Sequence, residues 1–189
     1  MTGRLLVFAL AAGLALSLTA VAFADFHRIK GTSGPDTIIG TGGSDLIQAL
    51  AGPDIVDAEG GDDRVEGGLG ADRLLGGAGA DVLRGSDGRD VIDGQSGDDT
   101  ARGGDGNDVV RGGDGNDVVY VGKGIDQEFG GSGDDRMHAL ANDNRIDTVD
   151  CGDGNDVAFE NVKEHDVFVN CEQVIRKTPS AAEEADDNG

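Results

Sequence analysis

The chain has 189 residues, with 15 Lys and Arg against 37 Asp and Glu, for a formal net charge of −22 at pH 7. That length is room for one domain, and that charge argues against nucleic acid and anionic lipid as partners, because both would be repelled by the chain as a whole. With 34 Gly, one Tyr and no Trp, an aperiodic chain of this composition would be disordered, since it buries too little apolar area to offset its conformational entropy. This chain is strongly periodic instead.

From the N-terminus, residues 1–24 have the build of a secretory signal peptide. A short basic start ends at Arg4, an almost wholly apolar run covers 5–21, and the small-x-small site Ala22-Phe23-Ala24 precedes the polar Asp25. An uncleaved anchor is the alternative, since the apolar run approaches the roughly 20 residues that span a bilayer. The cleavage site and the abrupt polar switch favour export, after which no membrane insertion is expected. Removal takes one cation and no acid, leaving 14 basic against 37 acidic side chains. Residues 25–30 read as a strand covering the start of the mature domain.

From Gly31 to His138 the sequence divides into twelve consecutive nonapeptides without an insertion. The most regular are Gly103-Gly-Asp-Gly-Asn-Asp-Val-Val-Arg111 and Gly112-Gly-Asp-Gly-Asn-Asp-Val-Val-Tyr120. Position four is Gly throughout, from Gly34 to Gly133, and position eight is Ile, Val, Leu or Met except at Ala101 and Glu128. Position six is Asp throughout: Asp36, Asp45, Asp54, Asp63, Asp72, Asp81, Asp90, Asp99, Asp108, Asp117, Asp126 and Asp135. Glycines at positions one, two and four permit positive φ and close main-chain approach, so positions one to six read as a turn. Asn107 and Asn116 at position five also tolerate the left-handed region. Positions seven to nine read as a short strand in which only the eighth side chain points inward, as Leu83 and Ile92 would.

One inward side chain in nine residues makes no core alone. If two nonapeptides form one turn of a flattened superhelix, residues 18 apart stack at about 4.8 Å, and 31–138 makes six turns. The aspartates then superimpose into two columns, one along each edge: Asp72, Asp90, Asp108 and Asp126 on one, Asp63, Asp81, Asp99 and Asp117 on the other. Carboxylates stacked at about 5 Å repel one another, and a divalent cation removes the conflict. Calcium takes about six to eight oxygens from carboxylates and main-chain carbonyls, whereas magnesium wants a tighter octahedron and keeps its waters. Zinc and iron lack a His or Cys cluster within the repeats.

The repeat resembles the RTX, or hemolysin-type, calcium-binding nonapeptide Gly-Gly-x-Gly-x-Asp-x-U-x, where U is a large apolar residue. The resemblance implies an all-β, right-handed parallel β-roll, a β-solenoid with two repeats per turn and calcium between successive turns. It implies the position-six aspartates as metal ligands. Carbonyls from the glycine turns of the regular copies would supplement them: Gly67 and Gly70, Gly76 and Gly79, Gly85 and Gly88, Gly94 and Gly97, Gly103 and Gly106, Gly112 and Gly115. Asp105 and Asp114, at position three, either add side-chain ligands or are simply solvated. Stacking each turn on the next allows at most about ten ions, with binding and folding as one event. Ala49, Ala58 and Val121 depart from the pattern at position one, and Glu128 places an acid inward, so a distorted or vacant site is expected near it.

The register breaks at Ala139-Leu140-Ala141 and resumes weakly over 139–175, with Asp147 and Asp156 nine residues apart and Val149 and Ala158 in the inward slots. Cys151-Gly-Asp-Gly-Asn-Asp156 imitates a repeat turn, and Asp156 is a further candidate ligand. Cys151 and Cys171 lie close to one turn apart, which suits a disulfide in an exported chain. A thiol pair binding metal or doing redox chemistry is the alternative, though no Cys-x-x-Cys supports it. The Cys-Gly-x-Gly and Asn-Cys-Glu elements resemble the C-terminal caps of secreted actinobacterial proteins with these repeats. Val167-Phe168-Val169 reads as the closing strand, and 176–189 as a disordered acidic tail.

The favoured reading is an extracellular calcium-binding module without enzymatic activity. A second reading is a calcium-stiffened adhesin or matrix component that binds polysaccharide or a cell surface through outward residues including Arg64, Arg73, Arg84, Arg102, Arg111 and Tyr120. A third is a small polysaccharide-active enzyme. Ser132, His138 and Asp135 are the side chains from which a triad could be drawn, but no nucleophile elbow accompanies them, and His27 and His165 read as surface residues.

Overall fold

A computed structural model describes residues 17–19, 27–141 and 143–178. Most of the leader-like segment, Asp25 and Phe26 of the covering segment, and residues 179–189 of the tail lie outside the described residues. Within them the secondary structure is wholly β. The odd-numbered strands form one parallel sheet: β1 (Ser17–Thr19), β3 (Thr37–Thr41), β5 (Ile55–Glu59), β7 (Arg73–Ala78), β9 (Val91–Ser96), β11 (Val109–Asp114), β13 (Gln127–Ser132), β15 (Thr148–Asp153) and β17 (Val167–Val169). The even-numbered strands form the other: β2 (His27–Lys30), β4 (Asp45–Ala51), β6 (Arg64–Leu69), β8 (Val82–Asp87), β10 (Thr100–Asp105), β12 (Val118–Lys123), β14 (Arg136–Ala139), β16 (Val157–Asn161) and β18 (Gln173–Lys177). The chain alternates between them and makes about eight turns of a parallel β-solenoid. In the repeats the register is one turn per two nonapeptides: Val109 pairs with Val91 and Gln127, and Val118 with Thr100.

The position-eight side chains fill the space between the sheets. Ile38, Val56, Leu74, Ile92 and Val110 stack from one sheet, and Ile29, Ile47, Val65, Leu83, Ala101 and Val119 from the other. Glu128 occupies the same slot between Val110 and Val149 and is fully buried.

The strands are longer than positions seven to nine. β11 runs from position seven of one repeat to position three of the next, and it buries both Val110 and Gly112. Position one is therefore a second inward position, not part of the turn. Its glycines do not adopt positive φ; the left-handed angles fall at positions two and four, as at Gly68 (φ 111°) and Gly70 (φ 133°). Glycine is needed at position one for space: a Cβ on Gly67 would lie 2.5 Å from Asp72 Oδ2 and 3.0 Å from the Gly85 carbonyl oxygen. The substitutions at Ala49, Ala58 and Val121 consequently disturb no backbone angle and are buried as part of the core. Asn107 and Asn116 are not left-handed either. Their side chains accept from the main chain one turn on, at Ile125 N (3.0 Å) and Asp134 N (2.9 Å).

At the C-terminal end Ala139, Leu140 and Ala141 are absorbed as buried residues, and the pairing offset grows so that Gln127 meets Thr148 and Arg136 meets Val157. Val149 and Ala158 fill the inward slots. β17 and β18 end the two sheets, and β18 reaches Lys177, beyond the 175 boundary read from the sequence. The Cys151–Cys171 disulfide, with Cα atoms 5.1 Å apart, fastens the chain just after β17 to β15.

Two glycines in the same repeat position test the packing. Gly70 has φ 133°, and a Cβ there would meet the Gly52 carbonyl carbon at 2.6 Å, whereas nothing lies within 4 Å of one on Gly34. Gly70→Ala is expected to cost about 1–3 kcal/mol in denaturant unfolding of the calcium-loaded chain, and Gly34→Ala to be nearly neutral.

Candidate metal sites

The position-six aspartates are buried except for the half-buried Asp36, and from Asp54 onward each is held by the turn before it. The amide of Asp72 donates to Oδ1 of Asp90, that of Asp90 to Asp108, and that of Asp108 to Asp126, at 2.7–2.8 Å. Along the other edge the amides of Asp63, Asp81, Asp99 and Asp117 donate to Asp81, Asp99, Asp117 and Asp135, each at 2.8 Å. Two continuous columns result. One runs from Asp36 through Asp54 and Asp72 to Asp126 and on to Asp147 and Asp166; the other runs from Asp45 through Asp63 to Asp135, Asp156 and Glu172.

Only half of each carboxylate is satisfied this way. Oδ2 is buried without a hydrogen-bond partner in Asp54, Asp63, Asp72, Asp81, Asp90, Asp99, Asp108, Asp117, Asp126, Asp135, Asp156 and Asp166. An orphaned carboxylate oxygen in the interior is costly, and its repetition in successive turns marks a place for a cation. Main-chain oxygens are close by. The space where a position-one Cβ would stand is bounded by Asp81 Oδ2 and the Gly94 carbonyl at Gly76, at 2.5 and 2.8 Å. The position-four carbonyls of Gly70 and Gly88 face the turn that follows, towards Gly88 and Gly106. Among the described residues no three His, Cys, Asp or Glu side chains converge on one point. The donors on offer are therefore stacked carboxylates with main-chain carbonyls, which fits an oxygen-seeking ion such as calcium and not zinc.

Several sequence-derived candidates behave differently from the rest. In Asp36 and Asp45, Oδ2 accepts from the amides of Thr32 (2.6 Å) and Thr41 (2.7 Å) and also from their hydroxyls. Threonine stands here at position two, where the regular copies carry glycine, and it takes up the oxygen left free elsewhere. Asp105 and Asp114 are exposed and point away from the columns: Asp105 pairs with Lys123 Nζ at 2.8 Å and Asp114 accepts from Ser132 Oγ at 2.7 Å. The column near Glu128 is unbroken, since Asp126 both accepts from Asp108 and donates to Asp147, so no backbone distortion accompanies that residue. Asp166 and Glu172 were not legible as column members. They follow Asp147 and Asp156 by 19 and 16 residues, off both the nine- and eighteen-residue periods. Ser132, His138 and Asp135 are not assembled into a triad: Ser132 lies on β13 bonded to Asp114, His138 stacks on Tyr120 in the opposite sheet, and Asp135 is inside.

Burial pushes these carboxyls up from their ordinary 3.8, and the stacked neighbours add to the rise. Asp63, Asp99, Asp108, Asp126 and Asp135 reach about 7, and Asp54, Asp90 and Asp117 about 6. The ion-free roll thus binds more protons than the unfolded chain between roughly pH 4 and 7, and its stability falls as pH rises through that window. Without calcium, the strand signal in circular dichroism is expected to be greater at about pH 4.5 than at pH 8. With calcium the order reverses, because protons compete for the same oxygens.

Residues 28–52, 39–74, 66–101 and 93–128 match the family described as the RTX calcium-binding nonapeptide repeat (4 copies). Together these stretches run from 28 to 128, more than half of the 189 residues. No curated protein matches the chain. Repeats of this family bind multiple calcium ions, which is the chemistry that two buried columns of half-satisfied carboxylates require. The chain belongs to the RTX calcium-binding nonapeptide repeat family.

Proposed function

We propose that this protein is an extracellular calcium-binding module whose roll forms as several Ca²⁺ ions are taken up between its stacked turns. The observation that carries the reading is the run of orphaned Oδ2 atoms, which recurs at each position six from Asp54 to Asp135 and again at Asp156. Those aspartates are the proposed side-chain ligands, with carbonyls of the glycine turns completing each site. Calcium supplies positive charge and a demand for several oxygens at once. The chain's own part is to bring carboxylates and carbonyls of neighbouring turns into reach, which happens only when the turns stack. Binding and folding are therefore one equilibrium, and affinity belongs in the roughly millimolar range of extracellular modules. Export is supported by the leader-like residues 1–24 and by the disulfide, a bond of oxidising compartments. β1 falls within the leader-like segment, so cleavage would leave β3 at that edge of its sheet.

A second reading, a calcium-stiffened adhesin or matrix component, is favoured by one observation: on the outer face of the even-numbered sheet cations far outnumber acids, whereas on the other sheet they are balanced.

Far-UV circular dichroism during a calcium titration tests the first reading. The chelated chain at neutral pH is expected to lack most strand signal and to gain it with calcium but not with equal magnesium. Asp99→Asn and Asp108→Asn, one in each column, should each move the calcium midpoint up by about threefold or more, while Asp105→Asn leaves it in place. Full strand structure in chelator, or midpoints indifferent to the column variants, would contradict the proposal.

A further inference from the structure

Positions seven and nine point outward, and the two sheets use them differently. On the odd-numbered sheet they carry Arg73 and Arg111 against Asp57, Asp93 and Asp150. On the even-numbered sheet they carry Arg28, Lys30, Arg64, Arg84, Arg102 and Arg136, with Glu66 as the one acid. A chain of net charge −22 thus keeps one face basic. Arg28, Lys30, Arg64, Arg84 and Arg136 are exposed, and among the described residues no hydrogen bond or ion pair holds them. Glu66 stands beside Arg84 in the register and accepts from Gln48 Nε2 at 3.0 Å, and against six cations its single charge leaves the face positive. Leu46, Val65 and Val82 floor a depression between Arg64 and Arg84.

Towards the C-terminal end the same face becomes a ladder of rings capped by cations. Arg102 lies 4.1 Å above Tyr120, Tyr120 stacks on His138 at 4.3 Å, His138 meets Phe159 at 4.8 Å, and Lys177 Nζ stands 4.5 Å from the Phe159 ring. The ring faces are turned to one another, so they offer no platform for nucleobases, which single-stranded nucleic-acid sites use.

We infer that the outer face of the even-numbered sheet binds a linear acidic polysaccharide lying across the strands, along the axis of the roll. Charge complementarity selects a polyanion. Strands step by about 4.8 Å, so cations on alternate strands stand about 10 Å apart, near the spacing of carboxylates in a polysaccharide with one uronate in every two sugars. Exposed acids along the turns, Asp62, Asp98 and Asp134 on one edge and Asp87 and Asp105 on the other, flank this face and would repel a polyanion there. The inference presupposes the calcium-folded roll, because the face exists only when the turns stack.

Binding of fluorescein-labelled hyaluronate to the calcium-loaded full chain, read by fluorescence anisotropy, tests it, with circular dichroism of each sample reporting the fold. Binding is expected, weakening between about 50 and 200 mM salt, absent with neutral dextran and weaker with oligo(dT). Arg64→Glu/Arg84→Glu should lower affinity by about tenfold or more, and Arg73→Glu/Arg111→Glu, the same charge change on the other sheet, by less than about twofold. Should the glutamate pair fail to fold, Arg64→Gln/Arg84→Gln should show the same loss in smaller degree. A folded chain that ignores hyaluronate, equal losses from both sheets, or tighter binding of oligo(dT) would overturn the inference while leaving the calcium reading intact. Self-association abolished by the Arg64/Arg84 pair would assign the face to a second copy and also overturn it. A chain that stays unfolded in calcium would sink both readings.

Discussion

Like charge stacked in the interior is the constraint on which the rest of this structure depends. Each turn sets an aspartate beside the one below, one oxygen fixed by a main-chain amide and the other buried with nothing to accept. In water such a column would fly apart; in a protein interior its members must be protonated or share a cation. Their upward-shifted acidities express the first option and the neighbouring carbonyls the second. The apolar contribution is too thin to override this conflict, since each strand of the repeats buries one side chain of useful size and a glycine or other residue at position one. A cation held between the turns would complete this core, which is why the proposed function couples folding to calcium uptake.

The same geometry explains why position one must be small. Its Cα lies against the carboxylate of its own repeat and the carbonyl of the next turn, so an added methyl would compete for the oxygens that define the site. Where the natural chain tolerates Ala49, Ala58 and Val121, the aspartates of those repeats still keep an orphaned oxygen. Where threonine replaces glycine at position two, in the first two repeats, that oxygen is instead bonded locally. The roll therefore opens with carboxylates whose Oδ2 is held by threonine, Asp45 keeping an orphaned Oδ1, and continues with carboxylates whose Oδ2 is left without a donor.

Much of this was legible because a strict nine-residue period maps directly onto a two-strand turn. Leu83 and Ile92 are inside, Val109 stands between Val91 and Gln127, and Cys151 reaches Cys171. What escaped the sequence reading depends on backbone angles and not on composition. The pattern predicts three-residue strands, whereas strand pairing continues through position three despite left-handed φ at position two, and φ is left-handed again at position four. Glycine signals freedom without saying whether φ or space is the reason. Asp166 and Glu172 escaped because the insertion and the shortened last turns carry the columns forward off the period. The split of Arg64 and Arg84 from Arg73 and Arg111 follows from odd and even repeats falling on opposite sheets, and it gives the roll a basic face between acidic edges.

The central claim is that the carboxylate columns and a divalent ion are mutually dependent. Isothermal titration of calcium into the ion-free, disulfide-bonded chain at neutral pH, with circular dichroism of the same samples, measures uptake and folding together. Several equivalents of calcium are expected to bind, up to about ten, with strand signal rising in step with uptake. No uptake, or a single equivalent taken up without gain of strand, would contradict that claim.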